Sequence, residues 1–113
     1  MANNFKNAVK TNIAIDSGTY TTVYASPAAK VSIVLECDIA NTTSSAIDVS
    51  VTISDNSTST TSYIVKDAPI PAGGALKVIS GQKIVLEGLD NIKAAASAGS
   101  SADCVVSILE DVG

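Results

Sequence analysis

The sequence predicts an all-β protein: a single antiparallel β-sandwich, immunoglobulin-like or jelly-roll-like, of about eight or nine short strands. The first observation is alternation: from Ile47 to Ser54 every odd position is apolar and every even one polar, the period of a half-buried strand. The second is composition. Serine, threonine, alanine and valine dominate, phenylalanine occurs once and tryptophan not at all, which suits pleated sheets packed on small aliphatic side chains. The third is punctuation, because polar or Gly/Pro clusters interrupt the apolar runs at short, regular intervals. A chain of 113 residues forms one domain and buries roughly two-thirds of its unfolded surface, enough for a core without metals or staples.

Residues 1–10 carry few apolar side chains and read as an N-terminal arm ahead of a sandwich domain over 11–113. Phe5 and Val9 are placed to anchor such an arm on a neighbouring subunit, the alternative being a frayed terminus. Residues 11–15 and 19–24 read as a first hairpin around the turn Asp16-Ser17-Gly18. The run 31–40 follows, with Ile33, Leu35, Cys37 and Ile39 inward and Glu36 and Asp38 toward water, and ends in a polar turn over 41–45. The strand over 47–54 has one buried face and one wet face. The connection 55–60 joins it to the strand 61–66 as a central hairpin.

Pro69, Pro71, Gly73 and Gly74 mark an edge-to-turn-to-strand unit, since proline cannot donate to a ladder and paired glycines permit a tight reversal. Strands then recur near 75–79, 82–87, 91–96 and 103–110. The alanine-rich run 92–98 favours a helix but is too short to be stable alone and follows the turn Asp90-Asn91, so it reads as strand.

The composition removes most activities. With no histidine and no arginine, the usual proton shuttle, the commonest metal ligand and the bidentate phosphate clamp are missing. Seven scattered lysines and a net charge of −4 oppose nucleic-acid binding. The N-terminus lacks the apolar stretch of a secretory signal and no run is long enough to span a membrane, so synthesis in the cytoplasm with no membrane partner is expected. Cys37 and Cys104 lack a histidine or CxxC partner, which argues against zinc. They read as buried apolar residues, with a disulfide as the alternative if the last strand lies beside the third.

The remaining polar motifs favour plain readings. Asp55-Asn56-Ser57-Thr58 offers oxygens to a cation but lacks the spacing of a calcium loop, so it reads as an Asx-turn. Asn41-Thr42-Thr43 and Asn56-Ser57-Thr58 match a glycosylation acceptor without a secretory route. Glu36, Asp38 and Glu110 read as solvated surface carboxylates rather than an acid-base pair. Gly73-Gly74 lacks the helix and the lysine of a phosphate loop. No catalytic, cofactor-binding or metal-ligating residue is assigned and no cofactor is expected.

Several segments together carry a resemblance: the hairpin Thr19 to Pro27, the strand end Asp38 to Thr43, Val49 to Ile53, Ala68 to Gly74 and the closing Val105 to Glu110. In this order they resemble the small β-sandwich virion structural proteins of tailed bacteriophages, those of cyanophages among them. The resemblance implies a non-enzymatic subunit of head, neck or tail, present as a homo-oligomer in contact with other virion proteins and assembled in the host cytoplasm. A capsid decoration or cement protein is the first expectation and a neck, collar or tail-associated subunit the second. A third reading is a host-glycan module, for which Tyr20 and Tyr24, read as sharing a strand face, offer aromatic rings.

Overall fold

A computed structural model describes residues 4–111. Eight strands form among them: β1 (Asn4–Lys10), β2 (Thr21–Ala25), β3 (Ser32–Asn41), β4 (Ile47–Asp55), β5 (Thr60–Ile70), β6 (Ala75–Leu86), β7 (Asn91–Ala96) and β8 (Ala102–Glu110). They make two four-stranded sheets, ordered β1-β8-β3-β6 and β2-β7-β4-β5. The logic is that of one long ribbon. Antiparallel pairs β1 with β8, β2 with β7, β3 with β6 and β4 with β5 run along it. Rolling the ribbon brings β8 beside β3 and β7 beside β4. This is the jelly-roll form of the expected sandwich.

The core lies between the sheets and is built from small aliphatics. Ile13, Val34, Ile39, Val51, Ile70, Ile79, Leu86, Ile92 and Val106 are all fully enclosed. Ala94, Ala95 and Ala96 are also 0% exposed; they lie in β7, an interior strand of its sheet, and the tertiary pairing overrides their helical preference.

Several strand expectations change in detail. Asn4 to Lys10, read as part of an arm, forms the edge strand β1 against β8, with Ala8 packed on the core; residues 1–3 lie outside the described residues. The hairpin expected over 11–24 does not form. Instead Ile13 N–H donates to Ala102 O of β8 at 3.1 Å, while Asp16 N–H donates to Ala96 O of β7 at 2.8 Å. The segment thus crosses from one sheet to the other, with its backbone groups shared between them. The two strands expected over 75–87 are one strand, β6, whose register against β3 shifts between Ile84 and Ser80. Lys83 there has a φ of 53°, so the glycine-containing step is a bulge rather than a break.

The central hairpin β4 and β5 forms as expected. Strand β5 is an edge, which is where Pro69 can be tolerated. Gly74 N–H closes the following turn on Pro71 O at 2.9 Å, and Gly73 takes the left-handed φ of 71° that glycine adopts at little cost.

Bulges also reverse the inward faces. In β3 the register slips between Val34 and Glu36, so Ser32, Val34, Cys37 and Ile39 point inward while Ile33 and Leu35 sit at the surface side. The even face of β4 is not uniformly wet. Ser50 and Thr52 are 1% and 3% exposed, and Ser50 Oγ accepts the backbone N–H of Asp67 at 3.0 Å, at the β5 bulge that covers it.

Candidate functional site

The tyrosines separate. Between Thr22 and Tyr24 strand β2 bulges against β7, so Val23 and Tyr24 both turn inward and Tyr24 is only 9% exposed. Its hydroxyl donates to Glu110 Oε2 at 2.6 Å and lies 3.1 Å from Ser32 Oγ. Burial, then the bond to Glu110, pushes the phenol up to about 12. Tyr24 is therefore no surface-binding residue. Glu110, expected in water, points toward the sheet interface and takes Lys6 Nζ at 3.5 Å as a second partner.

Tyr20 stays at the surface and meets Tyr63 rather than Tyr24. The two hydroxyls are 3.5 Å apart, and Tyr20 donates to the Asp16 carboxylate, a bond that holds the Tyr20 proton well above the ordinary phenol range. With Thr52, Ser54, Thr61 and Lys93 the two rings line an open groove on the outer face of the β2-β7-β4-β5 sheet. Tyr63 is half exposed and carries Lys66 Nζ 5.2 Å from its ring centroid. Tyr63 was legible in the sequence as a third aromatic ring but not as the partner of Tyr20, and Lys93 was missed, because the β4 register that places both beside Thr52 is a pairing between distant segments.

The acidic motifs turn out to be structural. Ser57 donates through both N–H and hydroxyl to Asp55 Oδ1, at 3.0 and 2.7 Å, forming the expected Asx-turn. The hydroxyl bond is the main reason the Asp55 carboxyl lies below its usual range. Asp55, Glu87 and Asp90 bring carboxylate oxygens within 4.8 Å of one another, the one such grouping among the described residues. Asp90, 4% exposed, has both oxygens engaged by the N–H groups of Asn56 and Glu87, at 2.9 and 3.0 Å. The cluster pins two turns together, with each oxygen of its buried member accepting a backbone N–H.

Asn41 is 2% exposed, and its amide donates toward Ser45 O, Ile70 O and Pro71 O at 2.7 to 3.2 Å. A glycan has no access to it. Glu36 and Asp38 lie on the outer face of the other sheet, with Lys77 Nζ 3.6 Å from Glu36 and 4.0 Å from Asp38. A hydrogen bond from Asp38 in its protonated form, then the lysine, holds Glu36 low, whereas desolvation raises Asp38. Cys37 and Cys104 are buried free thiols with sulfurs 3.8 Å apart, on the adjacent strands β3 and β8. The hydrogen bond between the two sulfurs, then burial, pushes the Cys37 thiol far up.

The outer face of the β1-β8-β3-β6 sheet has a different character. Phe5 pairs with Leu109, Leu109 with Ile33, and Ile33 with Val85, giving an apolar row across all four strands. Phe5 is 79% exposed and Val85 57%. Val9 and Val105, paired across β1 and β8, add a second apolar pair on this face, both exposed.

No protein-family model matches the chain, and no curated protein matches it. Among solved structures, a chain in the crystal structure of the T13 viral particle of infectious bursal disease virus (IBDV) is similar, with a TM-score of 0.55 at 9% identity. The likeness covers 95% of this chain and 30% of that one, so this chain spans about a third of its length. A chain of the IBDV VP2 subviral particle aligns over 96% of this chain and 42% of its own at 12% identity, with a TM-score of only 0.31. What the first likeness shows is a shared fold.

Proposed function

We propose that the protein is a non-enzymatic structural subunit of a virus particle, and specifically a capsid decoration protein of a tailed bacteriophage. The observation that supports this most is the rolled eight-stranded ribbon, which matches a chain of a viral particle over nearly the whole of this one. The surface agrees. Outside the Tyr20 and Tyr63 groove, the polar clusters are hydrogen-bonded turns and ion pairs, and one sheet face exposes the apolar side chains Phe5, Val9, Val85 and Val105. Such a subunit works mechanically: each copy makes a weak contact with the lattice, and the symmetric array is strong by avidity. A neck, collar or tail-associated position is the alternative within the same reading.

The test is the copy number of the protein per purified virion, by quantitative mass spectrometry against the major capsid protein. A ratio near that of the capsid protein is expected. A sparse count would move the protein to the neck or tail, and absence from particles would overturn the virion reading.

The groove of Tyr20 and Tyr63 favours a second reading, recognition of a host-surface glycan. Aromatic rings offer faces to a sugar ring, and the neighbouring hydroxyls and Lys93 offer polar partners. Replacing Tyr20 and Tyr63 together with alanine tests it: intact particles that no longer adsorb would favour this reading, and unchanged adsorption would remove it.

A further inference from the structure

We infer that the outer face of the β1-β8-β3-β6 sheet is a homodimer interface, whose occupant is a second copy of this chain. Exposed single apolar side chains are ordinary on a protein surface, but contiguous ones mark interaction sites. Here they are contiguous by register. Phe5, Leu109, Ile33 and Val85 succeed one another across four hydrogen-bonded strands, and Val9 and Val105 lie beside them on the same face. The outer face of the other sheet presents Thr52, Ser54, Thr61 and Lys93 instead. One face of the sandwich thus carries a contiguous apolar row and the other a hydroxylated groove.

Size and charge both point to a second copy. Four strands at a spacing of about 4.8 Å, about ten residues long at about 3.3 Å each, cover about 630 Å² per copy. Two copies would bury about 1,250 Å², within the range of specific, stable interfaces. A two-fold axis parallel to the strands lays β1 over the partner's β6 and β8 over the partner's β3. It sets Phe5 against the partner subunit's Val85 and Leu109 against the partner subunit's Ile33, a large side chain over a small one at each edge. Of the charged residues of this face, Glu36, Asp38 and Lys77 are already paired with one another on β3 and β6, and Asp103 of β8 lies beside Ala40 of β3. The same axis places the first three over the partner subunit's Val9, the partner subunit's Val105 and the partner subunit's Ser107, and Asp103 over the partner subunit's Ala40, so no like charges meet. The inference stands on the sheet face and does not depend on the virion reading.

Sedimentation equilibrium of the full chain tests it. The wild type is expected to sediment as a dimer. A Phe5→Glu, Val85→Glu double variant is expected to raise the dissociation constant at least about 100-fold, sedimenting as a monomer with an unchanged far-UV spectrum. Both side chains are more than half exposed, so the fold tolerates the change. Tyr63→Glu, on the opposite sheet, should leave the dimer intact. A monomeric wild type, a dimer that survives the double variant, or one that dissociates with Tyr63→Glu would each overturn the inference. A monomer that is nonetheless found in virions would overturn the second copy as occupant and leave the structural reading standing.

Discussion

The hydroxyl of Tyr24 on β2 donates to Glu110 Oε2 on β8 at 2.6 Å, a hydrogen bond that ties one sheet of the sandwich to the other. Bonds to an ionised partner contribute about 1.5 to 3 kcal/mol. Tyr24→Phe keeps the ring in the core but leaves the carboxylate with Lys6 alone, so unfolding in urea should show a loss of about 2 kcal/mol. A variant as stable as wild type would mean that the bond contributes nothing net.

Burial of Tyr24, together with the same bond, predicts alkaline behaviour. Tyr24 holds its proton up to about 12 in the folded state, against about 10 when unfolded. A raised value stabilises the fold fully below the unfolded pKa and loses that stabilisation as pH rises toward the folded one. Tyr20 is shifted in the same direction. The urea midpoint should therefore fall between about pH 10 and about pH 12, and fall less steeply in Tyr24→Phe; equal slopes would count against Tyr24 as a source.

Asp90 is the second buried anchor, with one oxygen on Asn56 N–H and the other on Glu87 N–H. Asp90→Ala strands both donors at the end of the sandwich, and a loss of about 3 kcal/mol is expected. Asp90→Asn, which retains an acceptor, should recover part of it. Thermal and urea unfolding of the pair would show whether the carboxylate holds the two turns.

Gly88 leaves no room for a side chain, because an added Cβ would stand 2.7 Å from Ala29 N. Gly88→Ala must push apart the turns at Pro27 to Lys30 and Glu87 to Asp90, at a cost of about 1 to 3 kcal/mol. A melting temperature unchanged by the substitution would show that the turns yield freely.

Cys37 and Cys104 should be inert toward a thiol-specific reagent in the native protein. Both are fully buried, and the Cys37 thiol is held protonated, whereas the thiolate is the reactive species. Labelling no faster than global unfolding is the expected rate. Rapid native labelling would reveal local opening of β3 or β8.

How far the sequence could be read follows from which interactions are local. The alternation of Ile47 to Ser54 announced β4, and the prolines near Pro69 announced an edge, because side-chain direction and the missing N–H are properties of the segment itself. The thiols of Cys37 and Cys104 were legible as buried for the same reason, and the condition for their meeting, the last strand beside the third, is met in the fold. The hairpin expected over 11–24 was not legible as a crossing, since Ile13 and Asp16 find their partners in Ala102 and Ala96, far away in the chain.

The sequence by itself determined that the chain is a β-sandwich of small aliphatics without histidine or arginine. The tertiary structure alone decided which strands are neighbours and which face each side chain takes. Bulges near Val23, Leu35 and Lys83 each shift the phase of a strand by local slips that period-two reading cannot see. One such slip sends Tyr24 inward to Glu110, and another leaves Ile33 in line with Phe5, Leu109 and Val85. Pairing of that kind is fixed by hydrogen bonds and packing between segments far apart in sequence, so the apolar row exists only once the ribbon has rolled.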